Sequence, residues 1–360
     1  MKRFFLAALA IAAIASCTKN EVTPSDPQEI TYQAVVGKAT KALVETTAYP
    51  TSETFGTVAY KVKGGNSELY IPISEVSNPT SAISGAAWTT ATPYYWPKDG
   101  STLTFYSYSP FKDNGGTDIG GVSSTKDGLT IKDYSVASAN RQLTDLMVAE
   151  PITGQTQNGS NGGFTGVQTI FKHKLAQVVA INFQTVAGDP ATVKDYANGH
   201  DGTAEKEYKA GDKVYTVTDV TFLTIPEQGT YTNATTEGWV TTGSATSEIE
   251  WIKGNTTSFT GGKYETTRTT NGYLLVIPQT FTADSQQLKI NYKVETYTGV
   301  TGSLWATETI EETVDLKDLH TSWDMNKKYT YTISIGLNQI YWAPSVAVWD
   351  TTMGTGSASI

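Results

Sequence analysis

Apolar and polar residues alternate with a period of two in short runs along most of this chain. In YTYTISI (329–335) the tyrosines and isoleucines alternate with threonine and serine, so the large side chains share one face of an extended segment. This pattern predicts a half-buried antiparallel strand. Comparable runs, bounded by turn residues, lie at 30–36, 55–62, 101–109, 175–183, 274–278, 288–297 and 345–349.

Helical periodicity is nearly absent, and only VKDYANG (193–199) is expected to form a short turn of helix. The pattern therefore predicts an all-β protein built of β-sandwiches. Residues 153–163, TGQTQNGSNGG, are rich in glycine and asparagine and precede a new apolar block. We place a domain boundary near residue 165, with one sandwich domain at 30–165 and a second at 166–360.

The N-terminal segment, residues 1–17, has the order of a secretion signal: a basic start, an apolar run at 4–14, then small residues. The run is too short to span a bilayer, which takes about 20 residues. IASC (14–17) resembles the lipobox of bacterial lipoproteins, in which the cysteine is acylated. The alternative is a soluble secreted protein cut at an A-x-A site. We favour lipid attachment at Cys17, the only cysteine, with residues 18–29 as a polar tether.

The net charge and the types of side chain present exclude several classes of function. The chain carries 26 Lys and Arg against 35 Asp and Glu, and an acidic surface argues against binding nucleic acid. The three histidines are widely spaced, and no catalytic or phosphate-binding motif occurs, so we expect no enzyme, no metal site and no cofactor. His173 is expected to be packed and hydrogen-bonded. DNGGTDIGG (113–121), with Asp113 and Asp118, is expected to be an acidic loop rather than a calcium site.

The aromatic segment YYWP (94–97) allows two interpretations. In one, Tyr94 and Trp96 stack on sugar rings, as in carbohydrate-binding modules. In the other, the two rings act as a plug that closes one end of a sandwich and buries a large apolar area. We favour the plug.

Several sequence segments, taken in order along the chain, resemble those of the fimbrillin superfamily, the pilus lipoproteins of Bacteroidetes. The segments are YYWPKDGSTLTFYSYSP (94–110), TDLMVAEP (144–151), TIFKHKLAQVVAINF (169–183), YLLVIPQTF (273–281), WDMNKKYTYTISIGLNQI (323–340) and WAPSVAVWD (342–350). The resemblance implies two tandem transthyretin-like, Greek-key β-sandwich domains. It also implies a fimbrial subunit or fimbria-associated adhesin, exported to the outer membrane as a lipoprotein and found in the fimbrium after assembly.

In that family, proteolysis removes an N-terminal strand with its lipid, and a strand of another subunit fills the groove that opens. Here the corresponding removable strand carries Ile30, Tyr32, Ala34 and Val36. Family members often have Thr-Arg-Ala at the cleavage junction, whereas this chain has Thr40-Lys41-Ala42. Cleavage is therefore expected after Lys41, or after Lys38, by a protease that accepts lysine. Without cleavage, the subunit stays anchored by its lipid.

The C-terminal segment, residues 338–360, offers a candidate donor strand on either side of Pro344. Its apolar positions are Ile340, Trp342, Val346 and Val348. The alternative is that these residues complete the C-terminal sandwich of their own chain.

The expected partners are other pilus subunits through strand exchange, the membrane through the lipid on Cys17, and a surface receptor or glycan. The alternative function is a surface glycan-binding lipoprotein without catalytic activity.

Overall fold

The computed structural model describes residues 28–37, 46–78, 87–137, 143–157, 166–185, 194–197, 204–207, 210–242, 248–260, 263–298, 304–335 and 340–349. Nearly all regular structure in these ranges is β-strand, which confirms the all-β prediction. The strands up to residue 173 are β1 (Tyr32–Gly37), β2 (Thr46–Ala48), β3 (Phe55–Lys63), β4 (Asn66–Ser77), β5 (Thr89–Thr90), β6 (Thr102–Ser109), β7 (Val122–Thr125), β8 (Gly128–Ser135), β9 (Met147–Ala149), β10 (Ile152–Gln155) and β11 (Val167–His173).

The remaining described residues form fifteen strands and one short helix. These elements are β12 (Ala176–Thr185), β13 (Lys194–Ala197), β14 (Ala204–Glu207), β15 (Ala210–Leu223), β16 (Gln228–Thr232), β17 (Gly238–Thr242), β18 (Ile249–Ile252), β19 (Lys263–Thr266), β20 (Leu274–Val276), β21 (Gln279–Thr280), β22 (Gln287–Thr298), β23 (Leu304–Asp315), α1 (Leu316–Leu319), β24 (Ser322–Trp323), β25 (Lys327–Ile335) and β26 (Ile340–Val348).

The helical turn predicted at 193–199 is wrong, because residues 194–197 form β13 and pair antiparallel with β14. Lys194 stands opposite Glu207, and Asp195 stands opposite Lys206. Facing positions of opposite charge favour strand pairing. An isolated helical turn gains few hydrogen bonds for the residues that it fixes, so pairing with a second strand is preferred.

The largest sheet has nine strands in the order β2-β1-β11-β9-β6-β3-β4-β5, with β10 paired to β6. Buried side chains pack on both faces of its central strands β3, β6 and β9. We call the side chains on one face the N-terminal core, which comprises Ile30, Tyr32, Ala34, Tyr49, Phe55, Ala59, Ile71, Val76, Trp88, Trp96, Leu103, Phe105, Ala149, Val167 and Phe171. The period of two explains the arrangement: Phe105 enters this core, and its neighbour Tyr106 enters the core on the opposite face.

The opposite face packs on a four-stranded sheet, β17-β16-β8-β7. Their shared core, the junction core, contains buried residues of β3, β6, β8, β9 and β16 together with Leu175, Leu275 and Ile277. Both halves of the chain therefore build this layer, since β8 pairs with β16 about a hundred residues later. Strand β11, which follows the boundary predicted near residue 165, also lies in the nine-stranded sheet.

The C-terminal core lies between two further sheets. One has the order β19-β12-β25-β26 with β20 on β12, and the other has the order β18-β15-β22-β23. Buried residues of β12, β20 and β25 meet those of β15, β18 and β22. Tyr329, Tyr331, Ile333 and Ile335 all enter this core while the residues between them are half-exposed, which confirms the alternation read from the sequence.

The helical content of the described ranges is limited to the four residues of α1. None of it is long or apolar enough to cross a membrane.

Candidate functional site

Strand β1, the predicted removable strand, lies between two partners in the nine-stranded sheet. It runs parallel to β11, with Tyr32 opposite Val167 and Val36 opposite Phe171. On its other side its last residues pair antiparallel with β2, where Gly37 faces Thr46. A parallel partner distant in sequence means that β1 is inserted between strands rather than folded back as a local hairpin.

The residues before and at the start of β1 also bind the segment 88–96 through their main chain. Ile30 N donates to Tyr94 O at 2.7 Å, and Trp96 N donates to Gln28 O at 3.1 Å. Tyr32 and Trp88 exchange two hydrogen bonds, of 2.9 Å and 3.1 Å. Residues 28–37 therefore connect β11 to the segment 88–96, which contains β5, and they contribute side chains to the N-terminal core.

Side chains of this segment occupy the middle of that core. Ile30 and Tyr32 are each 1% exposed and Ala34 is 6% exposed, whereas Val36 is half-buried. The Tyr32 ring contacts Phe55 and Phe105 edge-on, with both centroid distances at 5.9 Å. Such aromatic pairs contribute about 0.5–1.5 kcal/mol beyond the area that they bury.

The environment of Tyr32 is apolar enough that burial raises the pKa of its hydroxyl well above the usual value. The side chain is therefore neutral at physiological pH and fills the core as a large apolar ring. Withdrawing residues 28–37 would leave a groove between β11 and the 88–96 segment, with Phe55 and Phe105 at its floor.

The residues predicted for lipid attachment and cleavage, Cys17, Lys38, Lys41 and Ala42, lie outside the described residues. The structure does fix both flanks of the predicted cleavage region, because β1 ends at Gly37 and β2 begins at Thr46.

Strand β26, which contains the candidate donor residues, pairs antiparallel with β25 over nine positions, from Ile340 opposite Ile335 to Val348 opposite Lys327. In this state the segment completes its own sandwich, and Val346 packs against the C-terminal core. The side chains of Ile340 and Trp342 lie outside the described part. Strand pairing continues through Pro344, which an edge strand tolerates because a missing N–H can face away from the ladder.

Strand β26 ends the order of its sheet, and among the described strands it pairs only with β25. Nine paired positions on one side therefore hold it, whereas β1 has partners on both sides. An edge strand is the element of a sheet that can leave with the fewest broken hydrogen bonds.

The aromatic segment 94–97 contributes to the N-terminal core. Trp96 is 7% exposed and contacts Phe105 at 6.0 Å, and Tyr94 packs against the same core. This placement agrees with a plug, since a sugar cannot reach the faces of a buried indole. Tyr95 is the exposed ring of the segment, and its main-chain oxygen accepts a hydrogen bond from Tyr70.

His173 is packed and hydrogen-bonded, as predicted. Its Nδ1 bonds Oδ2 of Asp145, and its ring stacks on Trp349. In the predicted acidic loop, Asp113 Oδ1 accepts hydrogen bonds from the amides of Gly115 and Thr117, which is a turn geometry. No cluster of three or more ligating side chains occurs in the described ranges.

A family model described as fimbrillin-like matches residues 40–349. A fimbrial protein from Bacteroides vulgatus is 20% identical, with a TM-score of 0.59 over 89% of this chain and 99% of its own. A cell adhesion protein from Bacteroides uniformis is 18% identical, with a TM-score of 0.47 over the same shares. No curated protein matches the chain.

Proposed function

The chain belongs to the fimbrillin-like family, and from this premise we propose that it is a fimbrial subunit or fimbria-associated adhesin assembled by strand exchange. The observation that carries the proposal is the position of residues 28–37. They supply buried side chains and main-chain hydrogen bonds to a core whose other members come from elsewhere in the chain. Their removal creates a template for an incoming strand.

The energetics favour a replacement strand over an empty groove. Burying one large apolar side chain is worth about 1.5–3 kcal/mol, and Ile30 and Tyr32 are both almost fully buried. The open groove would also expose unpaired main-chain groups of β11. A donor strand satisfies both needs, and alternate apolar side chains fix its register.

Maturation and delivery complete the proposal. A lipid on Cys17 brings the precursor to the outer membrane, and cleavage after Lys41 or Lys38 releases the lipid together with β1. The donor strand comes from 338–360 of a second subunit. The part of this segment that forms β26 lies at the edge of its own sheet, which suits release.

The test measures polymer formation by a soluble form of residues 18–360 after limited digestion with a lysine-specific protease. The double variant Lys38→Ala/Lys41→Ala should stay uncut at this region and monomeric. The matched control is Lys63→Ala at the exposed end of β3, which should be cleaved and polymerise as the parent does. N-terminal sequencing locates the cut, and light scattering measures polymer mass.

A deletion of residues 340–360 separates the two parts of the mechanism. After cleavage the deleted chain should expose its groove, detected by binding of a hydrophobic dye, yet remain monomeric. Polymers of normal length from the deleted chain would show that the donor strand lies elsewhere. Loss of β1 without polymer formation in the full chain would contradict strand exchange itself.

A further inference from the structure

An aromatic contact joins the end of β26 to the nine-stranded sheet. Trp349 follows β26 directly, and its ring stacks on the imidazole of His173 with a centroid distance of 4.3 Å and an interplanar angle of 9°. His173 is the last residue of β11. The contact therefore connects the C-terminal edge strand to the sheet that holds β1.

Further contacts fix both rings. The main-chain N of Trp349 donates to Asn326 O at 3.0 Å, and Nζ of Lys328 lies 5.8 Å from the centre of the indole ring. The imidazole is held at its edge by Asp145, which bonds Nδ1. Trp349 also packs against the junction core. Both stacked residues are therefore held in place by further contacts.

The position of the contact matters for how β26 can open. One end of β26 is connected to β25 by four residues, 336–339, so that end cannot separate far. Opening of an edge strand that has one partner starts where its ladder ends, here at the pair Lys327 and Val348. Trp349 lies one residue beyond this pair, where a contact most strongly resists peeling.

We propose that the Trp349–His173 stack is a clamp that keeps β26 in its own sandwich and so restrains the donor strand in the unassembled subunit. The restraint on β26 is a property of the monomer. Its role in assembly rests on the proposed function, in which this strand is donated. In that setting the clamp limits premature polymerisation, because a second subunit can accept β26 only after the stack has separated.

The first test is hydrogen exchange in the uncut monomer of residues 18–360. Trp349→Ala removes the indole, and His173→Gln removes the imidazole ring while keeping a side chain able to donate to Asp145. Both should accelerate exchange of those amides of 345–348 that face β25 roughly two- to tenfold, the range for loss of one aromatic pair. Amides of β12 in the same sheet should not change. The matched control is Trp305→Ala on β23, where the indole is 74% exposed and no change is expected.

The double variant His173→Gln/Trp349→Ala sharpens the assignment. If His173 restrains β26 only through the stack, exchange in the double variant equals that of Trp349→Ala, since the contact can be lost only once. Effects that multiply would show that the residues act separately and would overturn the clamp. Unchanged exchange of the β25-facing amides of 345–348 in both single variants would do the same.

Assembly after proteolysis then distinguishes the clamp from the proposed function. Faster polymerisation of Trp349→Ala, at an equal rate of cleavage, supports both the clamp and donation of β26. Faster exchange with unchanged polymerisation supports the clamp and contradicts β26 as the donor. Faster polymerisation with unchanged exchange overturns the clamp.

Discussion

Close contact between neighbouring strands limits the size of the side chain that fits at some positions of the nine-stranded sheet. Gly56 in β3 stands opposite Tyr108 in β6. A Cβ atom at Gly56 would lie 2.2 Å from the Tyr108 ring, and this ring is itself buried. Glycine is therefore needed here because a side chain would collide with the Tyr108 ring. Its backbone conformation is not unusual.

Gly56→Ala should lower the free energy of unfolding by about 1–3 kcal/mol, the usual cost of overpacking a filled core. Urea denaturation measures the effect. Gly238→Ala is the control, because an added Cβ there meets nothing within 4 Å, and its stability should match the parent or slightly exceed it. Equal urea midpoints for both variants would show that Tyr108 moves aside without cost.

At the scale of elements, an ion pair between a buried lysine and a partly exposed glutamate connects the β11–β12 turn to the β16–β17 hairpin. Lys174 Nζ lies 2.6 Å from Glu237 Oε1, and the Tyr231 hydroxyl donates to the same oxygen at 2.5 Å. The hairpin makes a second attachment, in which Trp239 Nε1 donates to Lys174 O at 2.6 Å. The Lys174 side chain is only 8% exposed, so water reaches little of it and Glu237 supplies the opposite charge beside its ammonium group.

Glu237 makes this connection sensitive to acid. Burial raises the pKa of its carboxyl, but the hydrogen bonds from Lys174 and Tyr231 outweigh burial and lower it below the usual 4.5. A carboxyl with a lowered folded-state pKa stabilises the protein above its unfolded pKa. That stability is lost as the pH falls through the folded value. The loss should begin below about pH 4.5 and grow with further acidification.

Glu237→Gln should remove this part of the pH dependence and lower stability at pH 7 by about 1–2 kcal/mol, a value reduced by partial exposure of Glu237. Urea midpoints between pH 7 and pH 3 give the comparison. Glu311→Gln on the exposed strand β23 is the control. If both variants lose stability with the same slope, the Lys174 pair does not carry the acid sensitivity.

Alternation along single strands could be read from the sequence, but the partners of those strands could not. The inward positions of Tyr32 and Tyr331 follow from a period of two. The parallel pairing of β1 with β11 has no local signal, because the ladder uses main-chain groups that every residue carries. For the same reason, sequence alone did not show that the main chain of Trp88 closes the groove over Tyr32.

At the scale of the whole molecule, the two halves of the chain share sheets. The β16–β17 hairpin, from the second half, extends the sheet that contains β8, and Asn233 Oδ1 accepts a hydrogen bond from Leu129 N at 2.7 Å. β11 supplies the parallel partner of β1. A chain ending at residue 165, the boundary predicted from composition, has neither element.

The fragment 28–165 should therefore fail to fold cooperatively on its own. It keeps the buried residues of β8, among them Ile131 and Tyr134, without the β16 side chains that cover them. It also keeps β1 without β11. Near-UV circular dichroism during heating should show no sharp transition, whereas the full chain should give one. Adding the separately expressed 166–360 segment should restore it if shared strands are the cause. A sharp transition in 28–165 alone would mean that its core is stable without the second half, and that the shared layer joins two independently folding domains.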